Sequence, residues 1–149
     1  MKIELLDGPS GYDIPIMVTR LLFGERDKRT PDKELLKKLA KQRDDYVKSL
    51  RGVVVWLKIT APRYWWMEYV TYTVGNIQLG SELTMYSFAH FSEEKSVEIK
   101  SQIPERFEQT RIFMVSYKTL RRILRQRKNH RLPEWRYFCE WIEANIIFI

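Results

Sequence analysis

The chain has 149 residues, 44% of them hydrophobic and 30% charged, a profile that excludes a disordered or fibrous protein and leaves room for one buried core. Its formal net charge of +7, with a sequence pI near 9.5, points to anionic partners such as nucleotides, nucleic acid or acidic protein surfaces. A single cysteine, Cys139, rules out an intramolecular disulfide, and two histidines beside it are poor material for a zinc site.

Met1 to Leu6 alternates weakly and reads as an opening strand, after which GPSGYD supplies turn residues. From Ile14 the chain is apolar as far as Gly24, and GERDKRTP then reads as a loop. Thr30-Pro31-Asp32 is a helix start, with Leu35, Leu36, Leu39, Tyr46, Val47 and Leu50 near helical spacing and Gly52 near the end. Val53 to Thr60, VVVWLKIT, is rich in β-branched residues and reads as a buried strand. Thr60-Ala61-Pro62 opens a helix through Trp65, Trp66, Tyr69 and Tyr72 to about Val74, because proline is tolerated where the first N–H groups have no partner. Aromatic side chains at that spacing read as core or subunit seam.

Ile77 to Glu82 reads as loop, and Leu83 to Phe91 as a second short helix. SEEKSVEIKSQIPERFEQ suggests a short helix and a loop, and Ile112 to Val115 a brief extended piece. From Tyr117 to Arg131 there are seven Lys or Arg and no acid, as much positive charge as the net charge of the whole chain. Leu120, Ile123 and Leu124 make the segment to Lys128 an amphipathic helix, and Lys118, Arg121, Arg122 and Arg125 recur at i, i+3, i+4 and i+7. That spacing suits the backbone of a nucleic acid, with a solvated helix face as the plain alternative. Leu132-Pro133-Glu134 opens a last helix carrying Trp135, Phe138, Trp141 and Ile142, and the terminal IIFI is apolar enough to pack against something. Cys139 reads as a buried inert thiol, and His90 and His130 as surface or satisfied histidines. No apolar run approaches the roughly 20 residues that span a bilayer, and MKIELLDGPSGYD lacks the stretch of a signal peptide. One cytoplasmic domain over residues 1–149 is the expectation, with no membrane association and no metal.

Four stretches carry a likeness: MKIE at Met1 to Glu4, ITAPRYWWMEYVTYTVG at Ile59 to Gly75, SELTM at Ser81 to Met85, and QRKNHRLPEWRYFCEWIE at Gln126 to Glu143. Through them the sequence resembles a group of small phage and prophage proteins described as related to the flavin-dependent thymidylate synthases, the ThyX family. The resemblance implies an α+β fold, a small sheet with several helices packed on it, and a homo-oligomer. In that family a helix following a strand ends in Arg-His-Arg, and a loop with Ser and a Ser-x-Arg-Tyr ending follows; these residues bind flavin and the deoxyuridine nucleotide. Here Thr71-Tyr72-Thr73 stands at the triplet, Ser81 at the loop serine without an arginine after it, and Leu120-Arg121 with Arg127 resembles a family Leu-Arg pair and further arginine.

Phosphates need cations or helix N-termini. With the triplet's cations missing, FAD is a possibility by resemblance alone, no cofactor is expected and no catalytic residue is assigned. The leading reading is a non-catalytic ThyX-like protein that binds a nucleotide or nucleic acid. It would use Lys118, Arg121, Arg122, Arg125, Arg127, Lys128 and Arg131 with the loop residues Asn76, Gln78, Ser81 and Glu82. The alternative is a phage-encoded antagonist of a host defence system, such as an anti-CRISPR protein, that applies the basic helix to a nucleic-acid path or an acidic surface. A third reading is a flavin enzyme with a rearranged site.

Overall fold

The computed structural model describes residues 1–11, 13–22, 34–35, 48–83, 88 and 90–146. Four strands, β1 (Lys2–Ser10), β2 (Val54–Pro62), β3 (Asn76–Ser81) and β4 (Glu108–Ser116), form one antiparallel sheet in the order β1-β2-β4-β3. Five α-helices accompany it among the described residues: α1 (Asp13–Leu22), α2 (Arg63–Tyr69), α3 (Glu93–Ser101), α4 (Tyr117–Arg127) and α5 (Pro133–Asn145). A short 3₁₀ helix, Lys48–Gly52, leads into β2. The architecture is α+β. The expected helix beginning at Thr30-Pro31-Asp32, most of Leu83 to Phe91, and the terminal residues after Ile146 lie outside the described residues.

The central pair is β2 with β4, in unbroken register from Val54 opposite Ser116 to Pro62 opposite Glu108. Because side chains alternate along a strand, Val55, Leu57, Ile59 and Ala61 share one face with Phe113 and Val115, and all six are buried. On the other face Trp56, Ile112 and Met114 are half-buried, and Ile77 of β3 is exposed.

Aromatic side chains fill much of the core. The Trp65 ring lies 5.0 Å from Trp66, 4.8 Å from Tyr69, 4.8 Å from Trp135 and 5.5 Å from Phe138. Mixed stacked and edge-on contacts of this kind suit the ring quadrupoles, each ring withdrawing roughly 150–250 Å² from water. Trp65, Trp66, Tyr69 and Tyr72 are core residues, as their spacing leads one to expect.

α2 is shorter than expected, ending at Tyr69 rather than near Val74. The Thr71 hydroxyl donates to Glu68 O at 2.7 Å and the Tyr72 N–H donates to Tyr69 O at 3.1 Å, so backbone carbonyls at the helix end find local partners. The chain then turns through Gly75, at φ +71°, a conformation that a side chain resists. Residues expected as loop follow as the edge strand β3, stabilised by pairing with β4 rather than by any hydrophobic alternation of its own. β4 likewise runs beyond the expected Ile112 to Val115, because its polar N-terminal half pairs with β2 on one side and partly with β3 on the other.

Candidate anion-binding site

β4 passes directly into α4 at Ser116, and this junction builds a small basic cavity. Ser116 caps the helix, its Oγ accepting the Thr119 N–H at 3.3 Å. The Thr119 hydroxyl gives its hydrogen to Val74 O at 2.6 Å. Ser116 Oγ, 2.9 Å from Thr119 Oγ1, must therefore be the donor in that pair. The Ser116 N–H donates to Gly75 O at 2.7 Å, and the Tyr117 N–H to Val53 O at 2.9 Å. Two chain segments, the turn after α2 and the end of the 3₁₀ helix, are thus pinned to the first turn of α4.

The cavity between them has a volume of about 190 Å³ and is lined by Arg51, Val74, Ser116, Lys118, Thr119 and Arg122. None of Arg51, Lys118 and Arg122 is ion-paired to a carboxylate among the described residues. Arg122 lies over the Tyr72 ring at 5.7 Å, which restrains its stem. Three cations therefore border the positive end of an eleven-residue helix, an arrangement that attracts phosphate or another multivalent anion.

The basic side chains singled out from the sequence divide into different environments. Lys118 and Arg122 reach the cavity, whereas Arg127 turns inward. Its Nη1 donates to Glu68 Oε2 at 2.7 Å, its Nε donates to Tyr72 Oη at 2.9 Å, and its guanidinium sits 4.7 Å from the Trp135 ring. Glu68 Oε2 also accepts from Trp135 Nε1 at 2.9 Å, so this carboxylate joins α2, α4 and α5. His130 adjoins the cluster, with Nε2 at 2.8 Å from Arg127 Nη1 and Nδ1 at 3.2 Å from the Leu132 N–H. A neutral imidazole has one lone pair for these two donors, so only one of the contacts is a full hydrogen bond. Lys128 pairs with Glu143 at 2.5 Å, and the Arg131 carbonyl accepts from Arg136 at 3.1 Å. Arg121 is half-buried and Arg125 exposed, and both are engaged in interactions.

The loop candidates belong to β3 and its margin rather than to the cavity. Asn76 accepts from the Tyr69 hydroxyl at 3.2 Å, and Gln78 accepts from Arg111 at 3.4 Å. Ser81 and Glu82 line a separate open depression of about 430 Å³ with Gly80, Thr110 and Ile112. Glu82 Oε2 accepts the Thr110 N–H at 3.3 Å. Sequence reading missed Arg51, Ser116 and Thr119. The spacing Ser-Tyr-Lys-Thr ahead of a basic amphipathic helix is a capping signal that would have marked two of them, but Arg51 lies more than sixty residues upstream of Ser116 and had no local signal.

Burial pushes the Cys139 thiol up to about 11, with nearby Glu143 adding to the effect, as befits an inert core thiol. No helix of the described residues is long and apolar enough to cross a membrane.

No family model matches the sequence, and no curated protein matches it. Solved structures do. A crystal structure of the flavin-dependent thymidylate synthase ThyX from Helicobacter pylori, complexed with FAD and dUMP, superposes with a TM-score of 0.75 at 13% identity, covering 97% of this chain and 93% of that one. A second structure of that enzyme with FAD and dUMP gives a TM-score of 0.77 at 13% identity, covering 97% and 92%. The chain has the ThyX fold. At this identity the likeness is one of fold, and it extends across nearly the whole of both chains.

Within the ThyX fold, Thr71-Tyr72-Thr73 occupies the turn after α2. Tyr72 is only 4% exposed, its hydroxyl donating to Gln126 Oε1 at 3.0 Å while accepting from Arg127, whereas Thr71 and Thr73 face solvent. The basic cavity suits a phosphate group in its charge and donor set. Its volume falls below the roughly 300–1,000 Å³ typical of cavities that enclose whole ligands, so these residues of one chain do not enclose a dinucleotide such as FAD.

Proposed function

We propose that this protein is a ThyX-fold binder of phosphorylated ligands that does not carry out flavin-dependent methylation. The phosphate sits at the N-terminus of α4 between Arg51, Lys118 and Arg122. The observation that carries this reading is the convergence, on the first turn of a capped helix, of three cations with no carboxylate partner among the described residues, in a cavity of about 190 Å³. A nucleotide is the ligand class we favour, since the two structural neighbours were solved with FAD and dUMP, both phosphate-bearing. The uncharged triplet Thr71-Tyr72-Thr73 supports a loss of the flavin reaction, because it offers no cation to a cofactor phosphate or a substrate anion.

A second reading, nucleic acid in place of a mononucleotide, is favoured by the exposed positions of Arg125, Lys128 and Arg131 beyond the cavity. In that case the chain would act as an antagonist of a phage-targeting defence system or as a nucleic-acid binder of another kind, working as a homo-oligomer in the host cytoplasm.

The test is calorimetric titration of dUMP, FAD and inorganic phosphate, alongside fluorescence anisotropy of labelled single-stranded RNA and duplex DNA, at two salt concentrations. The Lys118→Glu/Arg122→Glu protein should lose about tenfold or more in affinity, since charge-assisted contacts at partly exposed sites contribute on the order of 1 kcal/mol each. Affinity for phosphate compounds that is equal in the two proteins, or absent from both, would end this reading. Tight RNA or DNA binding with a steep salt slope and no response to dUMP would select the second.

A further inference from the structure

A second cleft, between α2 and β4 at the margin of the aromatic core, has charge and shape that the phosphate cavity does not account for. It has a volume of about 200 Å³ and is lined by Arg63, Trp66, Met67, Val70, Glu105 and Arg111. Trp66 is buried at its floor and held by donation from Nε1 to Gln109 O at 2.9 Å. Arg111 stacks on that indole, its guanidinium carbon 4.7 Å from the ring.

Among the described residues, the hydrogen-bond partners of Arg111 are neutral amides. Its Nε and Nη2 donate to Gln109 Oε1 at 3.2 and 2.9 Å, and its Nη1 donates to Gln78 Oε1 at 3.4 Å. Gln109 cannot turn its oxygen away without cost, because its Nε2 donates to Glu82 O at 2.9 Å. The fork of Nε and Nη2 is thus occupied by one amide oxygen, and one Nη1 and one Nη2 hydrogen have no partner among the described residues. Partial burial lowers the pKa of Arg111 from the usual guanidinium range, the mark of a cation stripped of water without an anion in exchange. Arg63 adds a second positive charge; its Nη1 donates to Ile103 O at 3.0 Å, and Glu105 is 3.8 Å from its Nη2. Two guanidinium groups therefore face one carboxylate.

Beside this charge, Met67 of α2 and Val70, the residue that caps its C-terminus, stand three residues apart at 68% and 44% exposure. The cleft is too small for a whole drug-sized ligand but matches a single side chain, and the exposed apolar pair forms part of its lining, where a neighbouring residue would rest. A partner that fits both features carries a carboxylate next to an apolar side chain. The excess of basic residues in the chain as a whole would steer an acidic partner toward it.

We propose that this cleft is a docking site for an acidic, apolar peptide segment of a partner protein, with an Asp or Glu carboxylate on the remaining Nη1 and Nη2 hydrogens of Arg111 and an adjacent Leu-like side chain over Met67 and Val70. The guanidinium keeps one Nη1 and one Nη2 hydrogen for that carboxylate, and a bond to an ionised acceptor is stronger than one to a neutral amide. Trp66 and Gln109 hold the guanidinium plane in advance, which reduces the ordering cost of binding.

The probe is a blocked, fluorescein-labelled peptide of alternating Leu and Asp, with a Leu and Asn peptide as control, followed by anisotropy at physiological salt. We expect the Asp peptide to bind at least tenfold more tightly than the Asn peptide. Arg111→Gln should weaken it about tenfold, and Met67→Ser, at a position too exposed to affect folding, about threefold. The Lys118→Glu/Arg122→Glu protein should bind as the parent does, separating this site from the phosphate cavity. Equal binding of the two peptides, no binding of either, or loss of binding in the Lys118→Glu/Arg122→Glu protein while Met67→Ser is unaffected would each overturn the proposal.

Discussion

Replacing Gly75 with alanine tests whether the turn after α2 and the first turn of α4 are one rigid unit. At φ +71° the backbone lies where an L side chain costs roughly 1–2 kcal/mol. The new Cβ would also stand 2.4 Å from Ser116 Oγ and 2.9 Å from Thr119 Oγ1. Neither hydroxyl can yield cheaply: both residues are buried, and Thr119 is committed to Val74 O. Displacing one leaves a buried polar group short of a partner, a further cost of about 1–3 kcal/mol. The sum is on the order of 2–5 kcal/mol, equivalent to a fall in Tm of roughly 5–15 °C for a chain of this size. Urea denaturation followed by tryptophan fluorescence reads it directly. Gly80→Ala is the internal control, since a Cβ there meets nothing within 4 Å, and it should change stability by less than about 0.5 kcal/mol. Combining Gly75→Ala with Ser116→Ala removes the shortest contact, so the two costs should be less than additive. If Gly75→Ala matched the parent in urea midpoint, the steric argument for the junction would be wrong.

Two further predictions concern the core and its margin. Trp65 and Trp135 are both fully buried, but the Trp135 N–H donates to the Glu68 carboxylate while the Trp65 N–H has no acceptor among the described residues. Trp135→Phe should therefore cost about 1.5–3 kcal/mol more than Trp65→Phe in the same denaturation assay, and equal costs would deny the Glu68 bond a net role. Tyr64 donates a short hydrogen bond to Glu134, and that bond, with burial, raises its pKa to about 12. An unfolded tyrosine ionises near pH 10, so this stabilisation is complete below that value and is lost as pH climbs toward about 12. Tyr64→Phe should flatten this part of the stability curve; an unchanged alkaline slope would count against the bond.

Features that repeat locally were legible in the sequence. The β-branched run of β2, the apolar spacing of α4 and the proline at the start of α5 place those elements within a residue or two of where they lie. β3 was not legible, because Ile77, Gln78 and Leu79 are all exposed and no alternation marks a strand whose order comes from β4. The basic helix was legible as a helix, but the seven cations of the segment 117–131 do not act together. Glu68 on α2 and Glu143 on α5 claim Arg127 and Lys128, and no property of the segment 117–131 announces those distant carboxylates. The site was half visible for the same reason: Lys118 and Arg122 stand out in the sequence, whereas Arg51 is brought to them by packing of the 3₁₀ helix on α4 and the backbone bond from Tyr117 to Val53.

The unbroken pairing of β2 with β4 has a consequence for the way the chain is made. As synthesis proceeds, β2 and the tryptophan-rich α2 leave the ribosome well before β4, although β4 is the partner along the whole inner edge of β2. Until Glu108–Ser116 has emerged, a nascent chain can pair β1 with β2 but leaves that edge open, and α5 is not yet available to cover Trp65. Pairing between distant segments is slow to form and exposes apolar surface meanwhile. Sheet closure therefore waits for β4, and truncated chains lacking β4 should engage chaperones rather than fold.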